Sequence, residues 1–430
     1  MGEPLRVALA GLGTVGGGVV KLLDANRSLI ERRAGRPIEI IAVSARDRSR
    51  DRGFDLARFA WEDDAASLVH RDDVDVVVEL IGGSDGPALT IGRSALAAKK
   101  PLVTANKAMI AHHGLELARL AEANGVALKF EAAVAGGIPV IKGLREGAAA
   151  NEIGRVYGIL NGTCNYILSA MEDAGRDFLD VLSEAQALGY AEADPSFDID
   201  GVDAAHKLSI LGSIAFGTQV DFGGVAVSGI RHVTAADISE ARALGFRVRL
   251  VGMAEATDKG LFQRVHPCLV PLSHPMAHVT GSLNAVVAEG DHVGRLVFEG
   301  RGAGEGPTAS AVVADLIDIA RGERGPAFGM PADVLTQADR IVAKERLGRV
   351  YLRFAVADRP GVLAEITAAM RDAGVSIESL IQRGSHAEGG VLMVLVTHDV
   401  AEGAVTDALA RLDGSPSIVG KPMLMHILEG

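Results

Sequence analysis

Residues 5–16, Leu-Arg-Val-Ala-Leu-Ala-Gly-Leu-Gly-Thr-Val-Gly, decide the fold of the first part of this chain. The apolar run 5–10 predicts a short buried strand, and a helix is predicted from about 17 to 33. A G-x-G-x-x-G loop between strand and helix is typical of dinucleotide binding, although glycines also form ordinary turns. The loop residues expected to contact a cofactor are Gly11, Leu12, Gly13, Thr14, Val15 and Gly16.

The end of the second predicted strand, residues 38–43, bears on which cofactor binds. NAD, with its free ribose 2′-hydroxyl, usually meets an acidic residue at this position. Here Ser44 stands there instead, and Arg46 and Arg48 follow closely. Either arginine could bind the 2′-phosphate of NADP, so NADP is favoured while NAD remains possible. The alternative is that both arginines lie on a solvated loop.

Bulk composition narrows the classes of function. The chain has 430 residues, 48% of them hydrophobic, which suggests two or three domains with sizeable cores. A net charge of −12 argues against nucleic acid or an anionic membrane as a partner. Two cysteines, Cys164 and Cys268, cannot build a disulfide framework, which favours the cytoplasm. We find no apolar stretch of about twenty residues and no signal-peptide pattern, so no membrane segment is expected.

Further apolar runs predict an N-terminal doubly wound parallel sheet of the α/β class. Strands are predicted at 74–81, 101–104 and 126–130, and a helix at 88–98. Ligand sites of such sheets lie at the carboxyl ends of the strands. Lys107, in the run Val-Thr-Ala-Asn-Lys-Ala at 103–108, follows one of these ends. On its own, a lysine at this point is more often solvated than functional.

Residues 185–211 form a second informative stretch, which concentrates acidic side chains around one lysine. Its charged residues here are Glu192, Asp194, Asp198, Asp200, Asp203 and Lys207. After Gly201 a largely apolar helix is predicted, with Asp200 as its N-cap. Asp203 and Lys207, four residues apart, then share one helix face. Such a pair alone is usually a surface ion pair, but clustered carboxylates around a lysine could also tune proton transfer.

This acidic stretch resembles the signature of homoserine dehydrogenases. The matching positions, without a gap, are Ala185, Gly189, Tyr190, Asp194, Pro195, Asp198, Gly201, Asp203 and Lys207. The segments around Lys107 and at 158–166 resemble further blocks of the same family. The resemblance implies a proton relay through Lys207 and Lys107, with Asp203 positioning the lysine or a water. It also implies that Glu192 holds the substrate ammonium group, with Asp198 and Gly189 nearby.

The resemblance extends to cofactor and cation binding. Lys107 would lie near the nicotinamide, and the glycine turn at 300–308, with Gly304, would touch the cofactor and open a helix to about 320. The residues that would bind a monovalent cation such as sodium are Glu131, Val134, Gly136 and Ile138. The residues alone predict only a glycine-rich turn with a partly buried acid.

The C-terminal residues 349–430 predict β-α-β-β-α-β, which resembles the ACT domain, a small amino-acid-sensing module. The turn Asp-Arg-Pro-Gly-Val-Leu at 358–363 is its most specific feature, and backbone around Gly361 would face an effector. The alternative is a purely structural ferredoxin-like domain. The expected domains are a Rossmann-type domain at 1–150 completed by about 301–325, an α+β catalytic and dimerisation domain at 151–300, a linker at 326–348, and the ACT domain at 349–430.

The expected function is that of a monofunctional homoserine dehydrogenase, with no kinase domain before it. The family interconverts L-aspartate 4-semialdehyde and L-homoserine with NAD(P)H on the route to threonine and methionine. The resemblance implies feedback by an amino acid, threonine first, in a homodimer or homotetramer. A chain ending near Glu345 should then stay active and lose effector sensitivity. The alternatives are another oxidoreductase of amino-acid aldehydes, which a comparison of homoserine with analogues would separate, and a non-enzymatic sensor without homoserine-dependent turnover.

Overall fold

The computed structural model describes residues 2–385 and 390–429 and confirms the predicted α/β class. It contains a parallel sheet, an antiparallel sheet covered by helices, and a C-terminal α+β unit. No helix in these ranges is both long and apolar enough to span a bilayer.

The N-terminal region is a six-stranded sheet with the order β3-β2-β1-β4-β5-β6, in which every pairing is parallel. Its strands are β1 (Leu5–Ala10), β2 (Ile38–Ser44), β3 (Ala60–Trp61), β4 (Val76–Glu79), β5 (Leu102–Thr104) and β6 (Leu128–Lys129). Its helices are α1 (Thr14–Ala25), α2 (Arg27–Ala34), α3 (Pro87–Ala97), α4 (Lys107–Asn124) and α5 (Val140–Lys142). The strand order reverses beside β1, which places the glycine loop at the ligand-binding edge.

The prediction of one continuous helix at 17–33 was wrong. The helix begins earlier, at Thr14, and Asn26 separates α1 from α2. The backbone of Asn26 (φ −112°, ψ 20°) leaves the helical region while its N–H still bonds to the carbonyl of Leu22. Asparagine tolerates such a break because its side chain competes for backbone hydrogen bonds.

The middle region is the expected antiparallel sheet, with the order β12-β11-β7-β9-β10. Its strands are β7 (Ile153–Ile159), β8 (Ala226–Val227), β9 (Phe246–Thr257), β10 (Gly260–Pro271), β11 (Leu283–Gly290) and β12 (Gly294–Arg301). Its helices are α6 (Gly162–Ala174), α7 (Phe178–Ala187), α8 (Ser196–Ile199), α9 (Val202–Phe216) and α10 (Ala235–Ala243). Helix α9 packs on this sheet and also contacts α4 of the N-terminal region, so its first turn lies between the two regions.

The next helix, α11 (Glu305–Ala320), returns to the parallel sheet. It packs against α1 so closely that a Cβ on Gly18 would lie 3.2 Å from the Cβ of Ala309. Val312 and Leu316 are buried with Val19 in the same cluster. The N-terminal region is therefore assembled from two separate parts of the chain.

The C-terminal region has the strand order β18-β14-β16-β15 with two helices, which is the ferredoxin-like arrangement. Its strands are β13 (Leu347–Gly348), β14 (Val350–Val356), β15 (Ile377–Ser385), β16 (Val391–Thr397), β17 (Val400–Ala401) and β18 (Ile418–Ile427). Its helices are α12 (Val362–Asp372) and α13 (Glu402–Arg411). Gly361 precedes α12 with φ +97°, a conformation that favours glycine.

The C-terminal unit is joined to the middle sheet rather than tethered beside it. Strand β18 pairs with β10 in parallel at Cys268–His426 and Leu269–Ile427, which makes one continuous sheet. On its buried face, the guanidinium of Arg353 bonds to Asp237 of α10 at 2.6 Å. A chain ending near Glu345 would expose this apolar and charged interface, so truncation is not the clean test of regulation that the sequence suggested.

Candidate active site

A cavity of about 720 Å³ lies where the glycine loop, the end of β5 and the first turn of α9 meet. Several residues predicted from the sequence to be functional line it. They are Thr14, Val15, Lys107, Gly136, Gly189, Asp198, Asp203, Lys207 and Gly304. A cavity of this size accommodates a small substrate together with part of a cofactor.

The carboxylate of Asp203 is the centre of the site. It accepts a hydrogen bond from the Lys207 ammonium at 2.7 Å and lies 2.9 Å from the Lys107 ammonium. The side-chain amide of Asn161 donates a third bond at 2.8 Å. Although the two lysines are far apart in sequence, the single buried carboxylate of Asp203 holds both ammonium groups in the same cavity.

Burial and charge oppose each other in the ionisation of this group. Burial alone would raise the pKa of Asp203, but Lys207 and Lys107 outweigh it and hold that pKa far below its ordinary value. Burial would likewise lower the pKa of Lys107, but the charge of Asp203 and its hydrogen bond raise it above the ordinary value. Asp203 is thus ionised and Lys107 protonated near neutral pH.

Helix α9 positions the Asp203–Lys207 pair, but its start differs from the prediction. Asp200 was expected to be the N-cap, yet Gly201 occupies that position with φ +87°. The carboxylate of Asp200 instead bonds to Arg231, a partner that is distant in sequence. Because the body of α9 is buried, Lys207 extends along it and donates to the carbonyl of Leu160 at 2.7 Å.

Strands β4 and β5 place Lys107. Buried Glu79, at the end of β4, accepts a hydrogen bond from the Thr104 hydroxyl at 2.7 Å, which ties the two strand ends together. Asn106 then caps α4 by accepting from the N–H of Met109 at 3.0 Å. Lys107 is the first residue of that helix, and its ammonium lies 5.6 Å from the centre of the Phe197 ring. The lysine is therefore anchored at its backbone by the start of α4 and at its tip by the ion pair with Asp203.

Asn161 and Thr163 link the acids of the site, a role that the sequence did not single out because both residues also suit helix caps. The Asn161 amide donates to Asp198 at 2.8 Å as well as to Asp203. The Thr163 hydroxyl lies 3.2 Å from the other oxygen of Asp198. Burial, followed by the charge of Asp203, raises the pKa of Asp198. The amide also N-caps α6 through the N–H of Cys164.

Asn284 is a further polar residue that sequence reasoning missed. It lies in β11, is 1% exposed, and lines the cavity. Neither its amide nitrogen nor its carbonyl oxygen has a partner in the described part of the chain. A buried amide without partners costs free energy unless a ligand satisfies it. The signal that could have found it is a single asparagine directly before the apolar run 285–288 of this strand.

The structure separates Glu192 from the other predicted substrate residues. Gly189 lines the cavity with φ +77°, whereas Glu192 lies exposed on the loop beyond it. The charge of Glu192 nonetheless contributes to the raised pKa of Lys107, after Asp203 and Asp198. Of the two acids expected to bind the substrate, Asp198 is the one that lines the cavity.

The glycine loop has the shape that a dinucleotide requires. Gly11 has φ +104°, and a Cβ there would lie 2.6 Å from the carbonyl oxygen of Leu80. A Cβ on Gly16 would lie 2.1 Å from the Gly11 oxygen, whereas one on Gly13 would meet no atom within 4 Å. Gly11 and Gly16 are thus required by packing. Open space at Gly13, beside the start of α1, suits a phosphate group.

The loop 45–52 after β2, here called the arginine loop, is fixed in place by a residue that the sequence analysis did not single out. Arg46 and Arg48 are exposed and do not line the cavity, and the Arg48 guanidinium lies 5.6 Å from the centre of the Trp61 ring. Arg52 donates to the carbonyls of Leu12 at 3.1 Å and Asp47 at 2.6 Å. Arg52 therefore docks the arginine loop against the glycine loop.

The segment expected to bind a cation, 131–138, borders the cavity through Gly136. The two oxygens of buried Glu131 accept from the N–H groups of Ile141 and Lys142 at 3.0 and 2.9 Å. Burial, together with the charge of Asp315, raises the pKa of Glu131 to about 7. Ala135 and Gly136 both have positive φ, of 55° and 50°. Strain at a non-glycine residue, next to an acid with unused lone pairs, suits a hard cation bound by oxygen.

This arrangement can move a proton while holding a polar substrate. The cavity joins a dinucleotide-type loop to two ammonium groups that share one carboxylate. An ammonium group can protonate a carbonyl oxygen as the attached carbon receives a hydride, and Asp203 keeps that group charged until then. Asp198 and Asn284 leave polar atoms facing the same space.

Comparison with known protein families assigns three parts of the chain. The family model described as "Homoserine dehydrogenase" matches residues 139–317, and its "NAD binding domain" matches 11–131. The ACT domain matches residues 350–414. A homoserine dehydrogenase of Pseudomonas aeruginosa is 45% identical, and the match covers 99% of each chain.

Solved structures agree with these matches. The crystal structure of a homoserine dehydrogenase from Thiobacillus denitrificans superposes with a TM-score of 0.94 at 42% identity, covering 100% of this chain and 99% of that one. A hyperthermophilic archaeal homoserine dehydrogenase in complex with NADPH gives a TM-score of 0.65 at 26% identity, covering 75% and 99%. The chain therefore belongs to the homoserine dehydrogenase family, oxidoreductases that act on a CH–OH group, and carries a C-terminal ACT domain.

Proposed function

We propose that this chain catalyses the reversible NAD(P)H-dependent reduction of L-aspartate 4-semialdehyde to L-homoserine, within threonine and methionine biosynthesis. The observation that supports this proposal most directly is the Asp203 carboxylate shared by Lys107 and Lys207 in the cavity. When bound, the nicotinamide supplies or accepts the hydride. The protein must then deliver one proton and hold a zwitterionic substrate.

The proton step falls to the two lysines. In the direction of reduction, an ammonium group gives its proton to the aldehyde oxygen as the carbon–oxygen double bond becomes an alcohol. Lys107 is the more accessible, with a side chain 33% exposed against 10% for Lys207. We therefore place Lys107 at the reacting oxygen, with Lys207 maintaining the charge of Asp203 and relaying the proton. In the reverse direction the same groups accept the proton.

We propose that the other acids and amides that line the cavity orient the substrate. The ammonium group of the substrate needs a carboxylate, and Asp198 lines the cavity while Glu192 lies outside it. We assign the ammonium contact to Asp198, with the Gly189 turn beside it and Glu192 at the entrance. The free amide of Asn284 suits the substrate carboxylate or the carboxamide of the cofactor.

The cofactor is proposed to be NADP rather than NAD. Ser44 leaves no carboxylate at the end of β2, and Arg46 and Arg48 lie on the loop that follows. Arg52 fixes that loop beside the glycine loop, so the arginines would lie on the side where the adenosine ribose of a bound cofactor is expected. The archaeal relative solved with NADPH supports the same choice.

A monovalent cation such as sodium is proposed at the segment 131–138. Glu131 offers carboxylate oxygens, and Val134, Gly136 and Ile138 offer backbone carbonyls around the strained turn. Monovalent ions prefer such hard oxygen ligands. Gly136 also packs on the Gly302 carbonyl. A bound ion would therefore stabilise the contact between this turn and the glycine turn near Gly304.

Regulation, assembly and location complete the proposal. An amino-acid effector, threonine first, would bind near the Gly361 turn of the ACT domain and alter activity by favouring one conformation. We propose a homodimer or homotetramer in the cytoplasm, where the buried thiols Cys164 and Cys268 stay reduced. The net charge of −12 supports the expectation that neither nucleic acid nor an anionic membrane is a partner.

The decisive experiment is a rate comparison with the purified full-length chain. Reduction of NADP should follow addition of L-homoserine, while L-serine, one methylene shorter, should react at least about 100-fold more slowly because its hydroxyl cannot reach the lysines when its ammonium binds Asp198. Equal rates with the two substrates would favour a broader amino-alcohol dehydrogenase. No turnover with homoserine would favour a sensor without catalysis.

A further inference from the structure

A second cavity, of about 670 Å³, lies where the C-terminal unit joins the middle sheet. Strands β10 and β18 pair over two residues only, at Cys268–His426 and Leu269–Ile427. Ahead of these positions the two strands diverge, and the turn after β8 closes one side of the opening. We call this opening the junction cleft, with Arg264, His266, Arg353, Lys421 and His426 on its walls.

The walls of the junction cleft are basic although the protein is acidic. Among the described residues that line it are three arginines, three histidines and one lysine, and none is Asp or Glu. The three arginines already have acidic partners: Arg231 bonds to Asp200, Arg264 to Glu402, and Arg353 to Asp237. Lys421 is exposed and forms no ion pair with any described residue. The cleft therefore offers an uncompensated positive charge.

His266 provides the independent sign of a ligand. It is 6% exposed, it lines the cleft, and neither ring nitrogen has a hydrogen-bond partner within the described ranges. Burial, then His426 and Arg264, lowers the pKa of His266 well below its ordinary value, so the ring is neutral and carries one N–H donor. A buried donor left unsatisfied is destabilising, and a ligand acceptor would satisfy it.

The neighbouring histidine, His426, already has a polar partner at each ring nitrogen. The Arg264 guanidinium donates to Nε2 of His426 at 2.7 Å, and Nδ1 of His426 faces Glu402 at 3.5 Å. The His266 and His426 rings meet edge to face at 4.9 Å. His426 is thus fixed, and the free donor of the pair is that of His266.

We propose that the junction cleft binds a small anion that carries a carboxylate or phosphate group and no ammonium group. Lys421 supplies the charge and His266 the buried N–H donor. The side chains of Val227, Pro267 and Leu424 cover a short aliphatic part. The described residues of the lining offer no carboxylate for an ammonium group, which disfavours a zwitterionic amino acid. This site is therefore distinct from the amino-acid site proposed at the Gly361 turn.

Occupation of the cleft would connect the two domains. Its ligand contacts β10 of the catalytic sheet and β18 of the ACT unit at once, so it favours the conformation in which these strands are docked. The inference does not depend on which reaction the active site catalyses, and binding can be measured without turnover.

Calorimetric titration of the full-length chain tests the proposal, with sodium butyrate, inorganic phosphate and 2-aminobutyrate at constant ionic strength. Butyrate and 2-aminobutyrate differ only in the ammonium group. We expect butyrate or phosphate to bind with a Kd of about 1 mM or below. Because 2-aminobutyrate is also an analogue of homoserine and can occupy the active site, we expect that its binding is not weakened by the variants that alter the cleft. The tighter of the two anions identifies the ligand class as carboxylate or phosphate.

Two variants locate the binding in the cleft. Lys421→Gln, at an exposed position that cannot unfold the protein, should weaken anion binding at least about fivefold, and His266→Leu should do the same by removing the N–H donor. The matched controls are Lys259→Gln, 71% exposed on the hairpin of the same sheet, and His292→Gln, 85% exposed. No saturable binding of either anion, anion binding that both cleft variants leave unchanged, or 2-aminobutyrate binding that the cleft variants weaken as much as they weaken anion binding would overturn the proposal.

Discussion

Replacing Asp203 by asparagine removes the charge that holds two lysines together while leaving the shape of the side chain nearly unchanged. In the wild type, this carboxylate lies 2.7 Å from the Lys207 ammonium and 2.9 Å from the Lys107 ammonium. An amide cannot compensate either charge. We therefore expect Asp203→Asn to affect both catalysis and stability, by amounts that the geometry sets.

The magnitude follows from Coulomb's law and from the alternative open to the lysines. At an effective dielectric constant of about 20, each contact is worth about 6 kcal/mol before desolvation. Breaking a buried pair usually costs about 3–5 kcal/mol after desolvation. A lysine can also escape by losing its proton, at about 4.6 kcal/mol near pH 7 for an ordinary pKa of about 10.4. We expect a loss of about 3–5 kcal/mol in the free energy of unfolding.

The pH dependence distinguishes charge from packing. Deprotonation of the lysines becomes easier as pH rises, so the loss in Asp203→Asn should shrink from about pH 7 towards about pH 10. In the wild type the folded-state pKa of Asp203 lies below its unfolded value of 3.8. The stability that its ionisation contributes is therefore complete above that value and is lost only as pH falls towards the folded-state pKa.

The assay combines denaturant unfolding with initial rates of homoserine oxidation. The turnover number kcat should fall at least about 100-fold, because the proton donor is no longer held as an ammonium ion. Asp194→Asn is the matched control, since Asp194 is an exposed acid on the same loop whose hydrogen bonds among the described residues go to Ser196. An Asp203→Asn enzyme with kcat within about threefold of wild type, and unfolding unchanged near pH 7, would refute the reasoning.

Four further predictions concern the remaining parts of the site. Lys207→Ala should lower kcat at least about 100-fold with little change in the Kd for NADPH measured by fluorescence. Arg46→Ala combined with Arg48→Ala should weaken NADPH binding selectively and leave NADH binding unchanged. Glu131→Gln should abolish any activation by sodium over tetramethylammonium at equal ionic strength. Gly361→Ala, at φ +97°, should raise the inhibitory threonine concentration at least about fivefold without changing basal kcat.

Each of these predictions has a control and a contrary result. Gly374→Ala imposes the same type of strain elsewhere in the ACT domain, at φ +75° and in open space, and should leave inhibition unchanged. Full activity of Lys207→Ala would remove that residue from the proton relay. A native preference for NADH would mean that Arg46 and Arg48 are merely solvated. Equal rates in sodium and tetramethylammonium would argue against the cation, and unchanged inhibition of Gly361→Ala would place the effector elsewhere.

The sequence determined those features that depend on neighbours along the chain. The strand–glycine–helix order at 5–16 specifies the glycine loop. The backbone angles and close contacts that require Gly11 and Gly16 arise from residues within or next to this loop. The Asp203–Lys207 contact follows from the four-residue spacing of a helix face. Strand and helix patterns likewise indicated the C-terminal β-α-β-β-α-β unit, because hydrophobic periodicity reports directly on which face is buried.

Only the tertiary structure decided which distant groups meet. Lys107 reaches Asp203 because α4 packs against α9, and no local pattern records that contact. Asp200 leaves the expected cap position because Arg231, from another element, offers a charged partner stronger than a helix N–H. The pairing of β18 with β10 is equally invisible in sequence, since any exposed strand edge can accept a parallel neighbour. Such contacts depend on how whole elements pack, so their partners become known only when the chain is folded.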